Sequence, residues 1–326
     1  MEYEPGHILA CALENGPDAL CECSWVQIRP PSLILYFKLK SPEKKTYQHF
    51  SHLTQDILVI PNLIQNTFEL VKIVIDNDDK PHFMLLCVLH LPPLIQDTSL
   101  SYVSCRAEPK PTGSGRLFIP PRRDRPFHDK AEDAIVIFHT AYSHSCRILM
   151  DWLTLIVHRR GLLTHIPAAH RACAPFCSTP EPTPALVEVP WSVWGPPATR
   201  LFAWNPTPMC NIETTAGQRA VTLGDYMPTP IIVRDFNPYA VRAARALAPV
   251  GQSQQVDWGK RLPNGNRMSL KVEDSVLSAG SIFKEDVCSS LPYIEVVTQG
   301  EYQYDGVMMD DERILGFRVR FRSLRH

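Results

Sequence analysis

The stretch Phe68-Glu69-Leu70-Val71-Lys72-Ile73-Val74-Ile75-Asp76, then Asn77-Asp78-Asp79-Lys80-Pro81, then His82-Phe83-Met84-Leu85-Leu86-Cys87-Val88-Leu89-His90, decides the fold class. Two runs rich in β-branched and large apolar residues flank a polar turn that ends in proline, which predicts a β-hairpin. Both runs are nearly continuous in apolar character, so both strands are expected inside a sheet with cover on each face.

Working outward, the same grammar repeats. Ser32 to Lys40 alternates, with Leu33, Leu35, Phe37 and Leu39 on one face and Ile34, Tyr36, Lys38 and Lys40 on the other, as a half-buried strand does. Ile8 to Ala12, Cys21 to Ile28, Asp56 to Ile60, Ser99 to Arg106, Ala134 to Thr140, Gln218 to Leu223, Pro230 to Arg234, Met268 to Val272, Tyr293 to Thr298 and Ile314 to Arg322 read as further strands. Leu149 to Arg160 is ambiguous by periodicity; its β-branched Thr154, Ile156 and Val157 favour a strand to His158, with a helical turn through Gly161-Leu162-Leu163. The one helix expected covers Tyr239 to Leu247, capped by Asn237 with Pro238 at its first position. The expectation is an all-β, mainly antiparallel protein, an irregular propeller-like or multi-sheet architecture with very few short helices.

Composition agrees. The 326 residues include 30 prolines against 15 glycines, which favours short elements joined by stiff turns. A formal net charge of −1 provides no field that attracts nucleic acid or an anionic membrane. The N-terminus lacks a basic region followed by an apolar run, and no window approaches the length of a membrane span, so a cytoplasmic or nuclear protein with reduced cysteines is expected. A single β-rich domain over 1–326 is expected, in which the proline- and arginine-rich stretch 107–133 separates an N-terminal β half (1–106) from a C-terminal one (134–326).

The segment Pro190-Trp191-Ser192-Val193-Trp194-Gly195-Pro196-Pro197-Ala198-Thr199-Arg200-Leu201-Phe202 has a composition that pins backbone. Its prolines fix φ and remove donors, so it reads as an ordered loop or a strand entry, with Gly195 as the turning point. Trp191 and Trp194 would plug one end of a core, and Arg200 would tie the loop to carbonyls or stack on an indole. A surface that reads an aromatic or proline-rich partner is the other reading.

Catalytic and metal motifs are weak. His170-x-x-Cys173-x-x-x-Cys177, with His144 and Cys146 upstream, offers residue types that suit zinc but lacks a second pair at ligand distance. Cys105, Cys146, His139 and His158 offer the residue types of a thiol hydrolase without a local signature. Gly113-Ser114-Gly115 lacks the context of a phosphate loop, and Asp305, Asp310, Asp311 and Glu312 miss calcium-loop spacing, reading instead as a turn between strands. Arg318, Arg320 and Arg322 along the last strand would guard a sheet edge. No metal or other cofactor is expected.

Several short motifs in one order resemble the C-terminal region of fungal, basidiomycete-type F-box-like proteins. They are Ser104-Cys105-Arg106-Ala107-Glu108-Pro109, Pro126-Phe127-His128, Glu132-Asp133-Ala134-Ile135, Phe138-His139, Val157-His158-Arg159-Arg160, Val189-Pro190-Trp191, Trp194-Gly195-Pro196, Thr199-Arg200, Gly217-Gln218-Arg219, Asp235-Phe236-Asn237-Pro238 and Asp310-Asp311-Glu312-Arg313-Ile314. The resemblance implies a β-rich, propeller-like recognition region that, in full-length relatives, follows an F-box docking a Skp-type adaptor of cullin ubiquitin ligases. No helical segment of F-box form stands near Met1, so a truncated relative and a stand-alone recognition domain fit equally, and the expected partner is an unspecified protein. The implied role is a non-enzymatic protein-interaction module, with Trp191, Trp194, Arg200, Arg219, Asp235 and Asn237 as binding or loop-anchoring residues. The alternative from another class is a small hydrolase or zinc-dependent enzyme using the His144 to Cys177 region.

Overall fold

Strands Thr67–Ile75 and Pro81–His90 pair antiparallel, from Thr67 opposite His90 to Ile75 opposite Pro81, as the hairpin reading expects. The structure is a computed structural model and describes residues 24–27, 33–36, 49–75, 81–108, 131–145, 150–172, 186–203, 214–224, 229–247, 260–262, 264–300, 302–310 and 312–318. The strand expected at Ile8 to Ala12, most of the 107–133 stretch, Gly113 to Gly115, Cys146, Cys173, Cys177, Arg320 and Arg322 lie outside them.

The hairpin is the centre of a first sheet. Strands Ser51–His52 and Ile57–Asn62 continue it on one side, and Val187–Val189 closes the other side in a parallel pairing with Cys87 to Leu89. Strict alternation decides what each face carries. Ile57, Val59, Phe68, Leu70 and Leu89 enter one apolar layer, while Leu58, Ile60, Val71 and Ile73 form a second cluster with Phe50, Phe83 and Leu85. A bulge after Leu70 shifts the register so that Val71 stands opposite Leu85.

The second sheet is an antiparallel meander of Thr98–Arg106, Ile135–His144 and Asp151–His158, extended by Thr199–Ala203. It packs on the first through Phe138, whose ring stacks on Phe68 at 4.2 Å between centroids, and through Val136, Leu155 and Val157. Its other face presents Ile135, Ile137 and Ile156 to Ala220, Phe236, Leu291 and Tyr293. Ala220 and Tyr293 belong to a third sheet, ordered Thr215–Ala216, Arg219–Leu223, Ile231–Asp235, Tyr293–Val297, Arg267–Lys271 and Lys260–Arg261. The far face of that sheet buries Val221 and Ile231 against Val307 and Met309 of the hairpin Gly306–Met309/Ile314–Phe317. The sheets are therefore stacked face to face, mainly antiparallel, and among the described residues they close into neither a barrel nor a propeller ring. Strands Thr98–Arg106 and Ile135–His144, on either side of the 107–133 stretch, are direct neighbours in one sheet.

Helices are few and short, and one of them corrects the sequence reading. Trp191–Ala198, expected as a loop or strand entry, is a helix, and Thr199 leaves it in extended conformation as the first residue of Thr199–Ala203. The prolines fall in its last turn. Their missing donors face the carbonyls of Ser192 and Val193, residues exposed to water, and the end of the helix is satisfied from outside. Thr199 Oγ1 donates to the Gly195 carbonyl at 2.6 Å, and Ser290 donates from N and Oγ to the Pro196 carbonyl at 2.9 and 2.8 Å. Gly195 is not a turning point; a Cβ there would lie 2.3 Å from the Trp191 ring, one helical turn back. Arg159–Leu163 and Ala168–Ala172 are further short helices, the first covering the helical turn expected at Gly161 to Leu163. Pro238–Ala246 is the helix expected, and Asn237 Oδ1 accepts from Tyr239 N at 2.8 Å and Ala240 N at 3.3 Å.

An arm of residues 273–291 leaves the third sheet and crosses back over the other two. Ser275–Leu277 pairs with Val287–Ser289, and the loop between them inserts Ile282 and Phe283 into the layer between the first and second sheets. Ile95 N donates to the Ile282 carbonyl at 3.0 Å and Lys284 N to the Pro93 carbonyl at 2.9 Å, so the arm's tip is fastened.

Candidate functional site

The six residues expected to anchor or bind fall in three places, and none forms an open binding surface. Trp194 is 1% exposed, and its Nε1 donates to the His90 carbonyl at 2.8 Å. Trp191 meets it edge-on at 5.0 Å, and Phe68 lies 6.1 Å from Trp194. The pair locks the Pro81–His90 end of the first sheet to the start of Thr199–Ala203 in the second, the core plug of the sequence reading.

Arg200 is buried between the second and third sheets. Its Nη1 donates to the Glu273 carbonyl at 2.6 Å, the expected carbonyl tie, while its guanidinium lies 5.1 Å from the Tyr293 ring centroid, so the ring it meets is a tyrosine and not an indole. Arg234 continues the set, 4.3 Å over the Phe202 ring and paired with Glu295 at 3.1 Å. Burial lowers the Arg200 pKa and, together with Glu295, raises that of Tyr293. The cluster is an internal tie between layers.

Arg219 and Asp235 are opposite each other in the third sheet, where the strand Ile231–Asp235 turns into the helix. Asp235 Oδ1 accepts from Asn237 N at 2.9 Å, and Asn237 caps the helix, so both carboxylate and amide are used in shaping a corner. Asp310 does the same between the last two strands, accepting from Glu312 N at 2.7 Å and Arg313 N at 2.6 Å, as the turn reading expects.

Strand alternation separates the thiol from the imidazole in the hydrolase reading. Cys105 stands opposite Phe138 and enters the apolar layer, whereas Ser104 stands opposite His139 on the reverse face. Burial pushes the Cys105 thiol up to about 12 and the Cys87 thiol up to about 11, away from the thiolate that nucleophilic attack needs. His170 is buried and its carbonyl accepts from Lys72 Nζ at 3.3 Å; no group of three metal-ligating side chains occurs among the described residues.

Two polar constellations were not foreseen. Lys72 projects into the apolar layer of the first sheet, where Asp56 Oδ2 lies 3.6 Å from its Nζ, both side chains almost fully buried. Ser104, His139 and Thr154 form a row across three strands, with His139 Nδ1 and Thr154 Oγ1 3.1 Å apart. Burial, helped by Arg106, lowers the His139 pKa to about 4. The unfolded state therefore binds a proton near pH 6.5 that the native state refuses until about pH 4, so stability is full above pH 7 and falls as pH drops through that window. A loss of about 2 kcal/mol between pH 7.5 and 5 is expected from this histidine alone. Urea midpoints at the two pH values measure it, and a His139→Gln variant should show a visibly flatter profile.

Among the described residues no helix is long and apolar enough to cross a membrane. Compared with known proteins, the chain matches no family model, no curated protein and no solved structure.

Proposed function

We propose that this chain is a non-enzymatic protein-recognition module of the kind its motifs resemble in fungal F-box-like proteins. The observation that carries the reading is the outer face of the helix Pro238–Ala246. Tyr239 and Leu247 are each 73% exposed at the two ends of one stripe, with exposed Ala243 between them at i+4. Arg242, 4.9 Å over the Tyr239 ring, and Arg245 flank the stripe and take part in no ion pair with the described residues. An apolar stripe edged by guanidiniums that lack a carboxylate partner among the described residues, on a capped helix, fits an apolar groove rimmed by carboxylates on a partner protein. The motif residues described above support the reading differently: they brace the scaffold from which such a helix is displayed.

Affinity capture of the tagged chain from a fungal lysate, run beside a Tyr239→Glu/Leu247→Glu variant with unchanged thermal unfolding, tests this. Proteins held by the wild type and lost by the folded variant are the expected result. Identical captures would remove the helix as the recognition surface. Skp and cullin components in the wild-type capture would extend the role to a ligase adaptor; their absence beside other variant-sensitive proteins would make it a stand-alone recognition module.

A further inference from the structure

A concavity of about 280 Å³ opens where the arm of residues 273–291 meets the second sheet. Its floor is apolar: Leu153, Ile282 and Phe283 are buried beneath it, and Leu277 and Ala203 form the sides. Phe283 is fixed there by an edge-on contact with Tyr142 at 5.6 Å, and Ile282 and Lys284 are tied through the backbone to the 93–95 segment, so the floor is pre-formed.

The rim has one sign of charge. Asp151 opens the strand Asp151–His158 on the same face as Leu153, which directs its carboxylate to the apolar side of the sheet, and it is half-buried. Among the described residues neither a cation nor a hydrogen-bond donor engages that carboxylate. Ser278 and Ser281 bring two further hydroxyls to the same rim.

We propose that this groove is a binding site for a small organic ammonium ion with an apolar or aromatic body. The body would lie on Leu153, Leu277, Ile282 and Phe283. The ammonium would meet the Asp151 carboxylate, with the serine hydroxyls as additional acceptors. The partly enclosed setting strengthens the charge contact relative to open water, and a neutral ligand of the same shape would forfeit it. A volume of this size takes one aromatic ring and a short chain, not a nucleotide.

Isothermal titration of the full chain at pH 7 with 2-phenylethylamine, against 2-phenylethanol as the uncharged match, tests the site. Saturable amine binding is expected, at least about tenfold tighter than the alcohol. Asp151→Asn should lower amine affinity about tenfold, leave the alcohol unchanged and keep the thermal unfolding midpoint. A second variant, Ser281→Trp, should block both ligands by filling the groove. Equal affinity for the two ligands, indifference to Asp151→Asn, or no saturation below about 10 mM amine would overturn the proposal.

Discussion

Trp194→Ala is expected to destabilise the fold by roughly 3–5 kcal/mol, enough to unfold a domain of ordinary stability. The indole is among the largest fully buried side chains, and its removal leaves a cavity between the first two sheets that neither tightly paired sheet can close. It also strips the His90 carbonyl of the Nε1 donor at 2.8 Å. Trp191 provides the internal control. Its Nε1 is buried with no hydrogen-bond partner, so Trp191→Phe removes an orphaned donor while keeping a ring over Gly195, and stability should change by less than about 1 kcal/mol. Urea unfolding of the two variants beside wild type measures both. A mild Trp194→Ala would show that the helix is not the brace between layers, and a severe Trp191→Phe would overturn the reading of its Nε1 as an orphaned donor.

Asp56→Ala is expected to cost a similar amount, roughly 3–5 kcal/mol, for an electrostatic reason. It strands the Lys72 ammonium in the apolar layer, with the His170 carbonyl at 3.3 Å as its remaining oxygen ligand among the described residues. It also removes the carboxylate that accepts from Thr54 Oγ1 at 2.8 Å, loosening the turn before Ile57–Asn62. The double variant Asp56→Ala/Lys72→Met separates the two causes. Removing the stranded charge should restore most of the lost stability, because methionine fills the space of the lysine stem without needing a partner. If the double variant were as unstable as the single one, the loss would lie in the turn and not in the charge.

The strands were legible in the residues because their pattern is local. In the hairpin, apolar residues at nearly every position require a strand covered on both faces, and Phe68 and Val71 do enter separate apolar clusters. The Asn237-Pro238 start was legible for the same reason, since a cap and a fixed φ act within four residues. The Trp191–Ala198 helix was not. Proline at 196 and 197 argues against a helix by local rules, and the donors that complete its last turn come from Thr199 and from Ser290, 94 residues away.

The candidate sites divide along the same line. The residue types at Trp191, Trp194 and Arg200 announced their bracing role in advance, whereas the Lys72–Asp56 pair and the Asp151 groove depend on which segments come together after folding. Lys72 gave a partial signal, a lone charge inside an otherwise apolar strand, which calls for a buried partner. Nothing local ties Ser278 and Ser281 to Asp151, because the arm that carries them reaches back from the third sheet.

The parallel strand Val187–Val189 also sets a timetable for synthesis. Its contacts with the Pro81–His90 strand, and those of the helix that follows it, span 98 to 104 residues of chain. At about 5–20 residues per second, the ribosome leaves that strand without its native neighbour for roughly 5–20 s after the strand itself has been made. During that interval an apolar edge that includes Leu86, Cys87, Val88 and Leu89 is open to whatever nascent chain lies nearby. Yield in a heterologous host should therefore depend on translation speed and on chaperone supply more steeply than the stability of the finished protein would suggest.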